Sequence, residues 1–261
     1  MARVPGPLVT GERVTSPDGA FNPTFQRHVA AYRQIADRLP LDGEILDLGC
    51  GVGHSFRELG PRTTVGVDVS AAALAGQDRE THVHDMRELP AAWSGRFAGL
   101  VSVHSIEHVT RPGVAVAEIA RVLRDDGVAV LVTPNRLTFA RPDEIVDPYH
   151  EIEYDVPTLR ALLDGRFADV EILGLHGSDR YLGFQDGEKA RMDRLLDLDR
   201  LGLRHRMPRW VMRLAYDTAL TLTRRDGDAR SAAITADDFR LGADDVDASL
   251  DLVAVVRGPL R

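Results

Sequence analysis

The chain has 261 residues, 44% of them apolar and 28% charged, and a formal net charge of −8, an ordinary globular composition with room for one large α/β domain. The negative balance argues against broad binding to nucleic-acid backbones, and no apolar run approaches the roughly 20 residues of a membrane span. One cysteine, Cys50, leaves no internal disulfide, and the first 30 residues lack the apolar core of a signal peptide, so the expectation is a cytoplasmic protein.

Residues 1–23 are rich in Pro and Gly and read as an irregular arm. From Phe25 to Leu39, Val29, Tyr32, Ile35, Ala36 and Leu39 recur at near-helical spacing, and Pro40 ends the run. Strand-like and helix-like segments then alternate. Strands are predicted at 44–48, 64–68, 81–84, 99–104, 127–133 and 169–175, with helices near 53–60, 70–76, 112–124 and 156–164. Such alternation means βαβ units and a mostly parallel sheet. The run "LDLVAVV" at 250–256 reads as one more strand.

The stretch 187–225 breaks this rhythm with Met192, Leu195, Leu196 and Leu198, then Pro208, then Trp210 to Leu222. Its arginines snorkel over a packed helical cap, or face an anionic or lipid-linked acceptor. Its apolar surplus predicts a cap over an acceptor pocket, or a subunit contact in a homodimer. The expected organisation is a single domain: arm and helix (1–40), cofactor-binding core (41–177), helical insertion (178–245) and last strand (246–261).

"EILDLGCGVGHS" (44–55) carries an apolar strand into Asp47, then Gly49, Gly51 and Gly53. Glycines allow a sharp turn and close approach to a ligand, and a following helix would offer free N–H donors. A dinucleotide fingerprint starting at Gly49 would need glycine at 54, where His54 stands, so a nicotinamide cofactor is disfavoured. Asp68, in "TVGVDVS", lies about 20 residues past the turn, where an acid can accept both ribose hydroxyls. Asp85 and Met86, in "HVHDMRELP", are suited to flanking an adenine.

The series "LDLGCGVG", "VGVDVS", "HDMRELP", "SVHSIEHV" and "RVLRDDGVAVLVTPNR" resembles the class I S-adenosylmethionine-dependent methyltransferases over roughly residues 41–175. The resemblance implies a Rossmann-like sheet of seven strands with the last antiparallel. It also implies that Asp47 and the Gly49, Cys50, Gly51 turn hold the methionine part, Asp68 with Val69 the ribose, and Asp85 with Met86 the adenine, with His104 near the methionine end. More narrowly, "TGERV", "FQRH", "IEHV", "TPNRLTF", "DPYH" and "ADDFRL…SLDLVAV" resemble actinobacterial sugar O-methyltransferases that cap methylmannose polysaccharide precursors at O1.

The segment "VHSIEHV" (103–109) gathers His104, Glu107 and His108 at i, i+3 and i+4, on one face if the turn is helical. A later stretch, "DPYHEIEYDVPTL" (147–159), adds His150. Together they are similar to small-RNA 3′-terminal 2′-O-methyltransferases, in which an acid-x-x-Glu-His turn and a later His-x-x-Glu-aromatic segment hold a divalent metal. His104 stands where that pattern has its first acid. The resemblance implies Glu107, His108 and His150 as ligands of Mg2+ or Mn2+. The alternatives are His150 as a metal-free general base, and purely structural histidines. His28 could close over the cofactor or simply pack, His54 is expected to face the first helix turn, and His82 and His84 to sit on a strand surface. The expected activity is O-methyl transfer to a hydroxyl of a sugar or polyol, a saccharide or small-molecule acceptor. An RNA-terminal or natural-product methyltransferase, acting at O, N or C, is the alternative.

Overall fold

All seven residues of Phe97–Val103 are buried, the pattern of a parallel strand covered on both faces. This strand sits near the middle of one mixed sheet. In the computed structural model, residues 22–139, 145, 147–197, 207, 208, 210–214, 216, 218 and 229–260 are described. The strands are β1 (Glu44–Leu48), β2 (Thr63–Asp68), β3 (Glu80–Val83), β4 (Phe97–Val103), β5 (Leu123–Pro134), β6 (Phe167–Gly177), β7 (Phe239–Gly242) and β8 (Asp251–Pro259). Their order is β3-β2-β1-β4-β5-β8-β6-β7. The first five are parallel, whereas β8 runs antiparallel between β5 and β6.

The sheet therefore has eight strands rather than seven. The added edge strand β7 pairs antiparallel with β6 inside the segment expected to be wholly helical. Four residues are too short to show a period-2 pattern, and tertiary contacts hold it in place. Gln34 donates to the Phe239 carbonyl and accepts from the Leu241 amide, as a neighbouring strand would. Tyr181 packs on Phe239 with ring centroids 4.7 Å apart.

Among the described residues, the helices with full bounds are α1 (Asn22–Ile35), α2 (Ala71–Leu74), α3 (Pro112–Val122), α4 (Arg136–Phe139), α5 (Val156–Leu163), α6 (Asp179–Asp197) and α7 (Ala229–Ala232). Asp155 caps α5 reciprocally with Thr158. The helix expected at 53–60 is only a 3-10 turn, Phe56–Leu59, so no regular helix N-terminus follows the glycine turn. Two apolar clusters cover the two sheet faces, one built with α3 and α5, the other with α1. Among the described residues, no helix is long and apolar enough to cross a membrane.

Helix α1 is fastened by a buried ion pair. Arg27 donates through Nε to Asp251 Oδ2 (2.7 Å) and through a terminal nitrogen to Asp251 Oδ1 and the Leu250 carbonyl. Burial pushes the Asp251 carboxyl up, but the Arg27 charge and hydrogen bonds from His104 and Arg27 outweigh it and hold it well below the carboxylate range. A carboxyl lowered in the folded state stabilises fully above its unfolded value of about 4, and the contribution is lost as pH falls toward the folded value. Asp251→Ala strands a buried guanidinium and is expected to cost about 3–5 kcal/mol in urea unfolding at pH 7. The Arg27→Met, Asp251→Leu double variant is expected to cost less, and to lose less of its stability below pH 4 than the parent does.

Candidate active site

The carboxyl ends of β1, β2 and β4 open onto a cavity of about 240 Å³, the edge where ligands bind in parallel α/β sheets. Gly49, Gly51, Asp68, Val69, Asp85, Met86 and His104 all line it, so most of the residues expected at the cofactor converge. Gly49 has φ +77°, and a Cβ there would lie 2.3 Å from Ser105 Oγ. Only glycine permits both. Gly51, at φ +53°, would direct a Cβ into open space, so its bare backbone leaves room for a ligand. Asp68 accepts from the Gly51 amide (2.9 Å) and the Ser70 amide (2.8 Å), one to each oxygen, and so ties the glycine turn to the end of β2.

Two expectations shift. Asp47 is buried and lines neither this cavity nor its neighbours. Its carboxylate accepts from Tyr32 Oη at 2.7 Å and pairs with Arg79 at 2.8 Å, so its part is to anchor the strand below the turn. Asp85 is held by Arg87 through two side-chain contacts and the Arg87 amide. Arg87 also donates to Thr110 Oγ1 at 2.7 Å and thereby bridges the Asp85 wall to the turn after β4.

Cys50 turns toward a second, smaller cavity of about 60 Å³, lined also by His28, His54, Ser55 and His104. Burial pushes its thiol up to about 12, which makes it an inert wall rather than a nucleophile. His104 has φ +49°, an uncommon conformation for a residue with a side chain, and its ring is held at both nitrogens. Nε2 lies 2.8 Å from Asp251 Oδ1 and Nδ1 lies 2.9 Å from His28 Nε2. His54, expected to face the first helix turn, instead packs against the rings of Phe25 and His28 on α1.

Beside the larger cavity, Glu107, His108 and His150 come together, one ligand atom from each lying within 4.8 Å of the others. Sequence separation of about 40 residues is closed by backbone. The amides of Glu151 and Ile152 donate to the Glu107 carbonyl at 2.8 and 3.2 Å. Each donor is also oriented. His108 Nδ1 lies 3.0 Å from the Tyr149 carbonyl, an acceptor only, which makes Nδ1 the protonated nitrogen and leaves Nε2 as the lone pair. His150 Nδ1 lies 3.1 Å from Glu153 Oε1, with the same consequence. Glu107 Oε2 accepts from Thr133 Oγ1 at 3.1 Å, while its buried Oε1 has no hydrogen-bond partner among the described residues.

Residues 24–168 match the family model of the methyltransferase domain. The chain belongs to the class I S-adenosylmethionine-dependent methyltransferases. It is similar along nearly its whole length to a probable S-adenosylmethionine-dependent methyltransferase of Mycobacterium tuberculosis, 31% identical and covering 96% of this chain and 89% of that one. A probable methyltransferase of Mycolicibacterium smegmatis is 30% identical, covering 96% and 95% respectively. In fold, the chain is similar to a SAM-dependent methyltransferase of Thermotoga maritima, with a TM-score of 0.57, 14% identity, and coverage of 90% and 92%.

In this methyltransferase, burial lowers the His150 imidazole, but the Glu153 hydrogen bond and the charges of Glu107, Asp147 and Glu153 raise it further, leaving it above its ordinary value. Sequence reasoning missed the residues that orient the site. Glu153 was legible as the i+3 partner of His150, whereas Thr133 and Asp251 carry no local signal of their role. With Asp68 as the ribose acceptor, Asp68→Ala removes a charge-assisted partner worth about 1.5–3 kcal/mol. The variant is expected to bind S-adenosylhomocysteine about tenfold to hundredfold more weakly by calorimetry. Unchanged affinity in the folded variant would remove the ribose role.

Proposed function

We propose that the enzyme transfers the methyl group of S-adenosylmethionine to a hydroxyl of a sugar or other polyol, with Glu107, His108 and His150 holding a divalent cation beside it. The observation that carries this reading is the buried, unpartnered Oε1 of Glu107, next to two imidazoles whose free nitrogens are fixed by their other hydrogen bonds. A ligand histidine whose second nitrogen is held by a carboxylate or carbonyl is the usual outer arrangement of a metal site. Glu107, Asp147 and Glu153 are all buried. Among the described residues, their side-chain partners are Thr133, Tyr216 and His150 rather than any lysine or arginine. Among the described residues, the imidazole of His150 is the one basic group that pairs with any of these three buried carboxylates; such a concentration of buried charge is costly, and a divalent ion answers that cost. One carboxylate and two imidazoles suit Mn, Fe or Zn as well as Mg.

Such an ion, when bound, lowers the pKa of an alcohol and orients it for in-line attack. The acceptor oxygen would then bond to the methyl carbon as the carbon–sulfur bond breaks, releasing S-adenosylhomocysteine, and the hydroxyl proton would pass to solvent water. The protein's own contribution is placement. His108 lines the cofactor cavity and also belongs to the cluster, so an acceptor gathered at the cluster meets the cofactor across one wall. A second reading, His150 as a metal-free base steered by Glu153, draws on the same 3.1 Å contact.

The described part of the 187–225 segment supports a cap over the acceptor. Arg213 donates to the Pro148 carbonyl at 3.3 Å and lies 4.9 Å over the Tyr149 ring, and Tyr216 Oη donates to Asp147 at 3.1 Å. These contacts reach the three residues that precede His150. Residues 198–206 and 219–225, with part of the apolar surplus, lie outside the described residues.

A methyl-transfer screen against mannosides, other glycosides and RNA ends tests the acceptor class, and transfer to RNA ends alone would overturn the polyol reading. Exhaustive chelation is expected to abolish activity and added Mg or Mn to restore it. Full activity after chelation would leave His150 as a simple base. His150→Ala is expected to lose about 10²–10⁴-fold in turnover while keeping its S-adenosylhomocysteine affinity. Replacing 187–225 by a short linker is expected to spare cofactor binding and abolish turnover. A full rate in that variant would exclude the cap.

A further inference from the structure

The smaller cavity holds an unexplained set of polar atoms. Both ring nitrogens of His54 and the Ser55 hydroxyl are buried with no hydrogen-bond partner. Buried polar groups in native proteins are nearly always satisfied, and each orphan costs about 1–3 kcal/mol. Three orphans side by side therefore mark a place where a polar ligand completes the structure. The cavity shares Gly49, Gly51 and His104 as walls with the larger cofactor cavity. Its volume of about 60 Å³ fits a group of a few atoms rather than a second molecule.

The charges decide which end of the cofactor enters. The larger cavity presents Asp68, whose carboxylate has no cationic side-chain partner among the described residues and repels a ligand carboxylate, and Asp85, whose charge is paired with the guanidinium of Arg87. The smaller one presents imidazoles, a hydroxyl and backbone, with no carboxylate, lysine or arginine among its lining residues. The guanidiniums of Arg27 and Arg79 are ion-paired with Asp251 and Asp47, and neither side chain lines this cavity. A carboxylate entering here can gain a counter-charge from the protein only if a histidine takes up a proton. His54 faces Phe25 and His28. His28 in turn faces His104, His54, Arg27 and Asp251, with the Tyr32 and Cys50 side chains on the same cavity wall.

We infer that His54, with Ser55 and His28, receives the carboxylate at the amino-acid end of the cofactor, and that cofactor binding is coupled to uptake of a proton by this histidine pair. The inference rests on the cofactor reading of the larger cavity. Before binding, both rings are neutral at pH 7: burial lowers His54 to about 4, and burial with the neighbouring His104, His54 and Arg27 outweighs Asp251 and places His28 well below its ordinary value. An adjacent carboxylate raises an imidazole toward protonation, so the proton enters with the ligand. The relay Asp251–His104–His28 fixes the ring orientations, since an ionised Asp251 takes the Nε2–H of His104 and leaves Nδ1 to accept from His28.

Calorimetric titration of S-adenosylhomocysteine at pH 7 in two buffers of different ionisation enthalpy counts the protons exchanged. Net uptake is expected, with the dissociation constant rising up to about tenfold per pH unit above neutrality for each whole proton taken up. S-adenosyl-3-thiopropylamine, which lacks only the carboxylate, is expected to bind without uptake. His54→Asn is expected to remove the uptake and weaken S-adenosylhomocysteine while leaving the affinity of the decarboxylated analogue unchanged, a control for folding. Binding of S-adenosylhomocysteine with no net proton uptake, or equal uptake with the analogue, overturns the inference alone. Failure of S-adenosylhomocysteine to bind at all overturns the cofactor reading and the inference with it.

Discussion

The roof of the cofactor site hangs on one buried carboxylate. Asp251 opens the antiparallel strand β8 and is fully buried, and it binds Arg27 of α1 on one side and His104 at the end of β4 on the other. An unpaired charge in that position would cost several kcal/mol, so the three elements are required to meet there. Through His104 the same carboxylate sets the ring of His28, and α1 brings Phe25 to His54 and Tyr32 to Asp47. Insertion of β8 between β5 and β6 is thus what places the N-terminal helix over the glycine turn.

From that frame the site divides into three regions of different electrostatic character along one sheet edge. One end carries the carboxylates of Asp68 and Asp85, the second paired with Arg87. The opposite end is neutral and imidazole-rich, with donors but no fixed charge. Beyond both lies a corner where buried carboxylates outnumber cationic partners. On the inference drawn above, the cofactor lies across the first two with its carboxylate at the imidazole-rich end. Electrostatics, more than shape, gives the cavity its polarity.

The third region shows how groups that do not touch the ligand define those that do. A backbone carbonyl and Glu153 each fix one histidine tautomer, Thr133 fixes one oxygen of Glu107, and the remaining lone pairs converge. Orientation of this kind fits a site that holds a cation, and equally it explains why His150 is not a free surface base. The contacts from Arg213 and Tyr216 reach the loop just before His150, which ties the described part of the inserted segment to the Glu107–His108–His150 cluster.

Local sequence determined the order of strands β1 to β6, the position of β8, the glycine turn, and Asp68, Asp85 and Met86 at successive strand ends. These are short-range properties: apolar runs, glycine conformations and caps act within a few residues of themselves. It also brought Glu107, His108 and His150 into one hypothesis, because their motifs are local even though their meeting is not. Tertiary structure alone decided the rest. The eighth strand exists because Gln34 and Tyr181 hold a four-residue edge, Asp47 turned inward because Tyr32 and Arg79 were there to receive it, and the expected helix after the glycine turn shortened to a single 3-10 turn. His54 is covered by Phe25 and His28 only because α1 returns over the glycine turn. Burial and long-range pairing set the charge state and freedom of a side chain, and neither is written in its immediate neighbours along the chain.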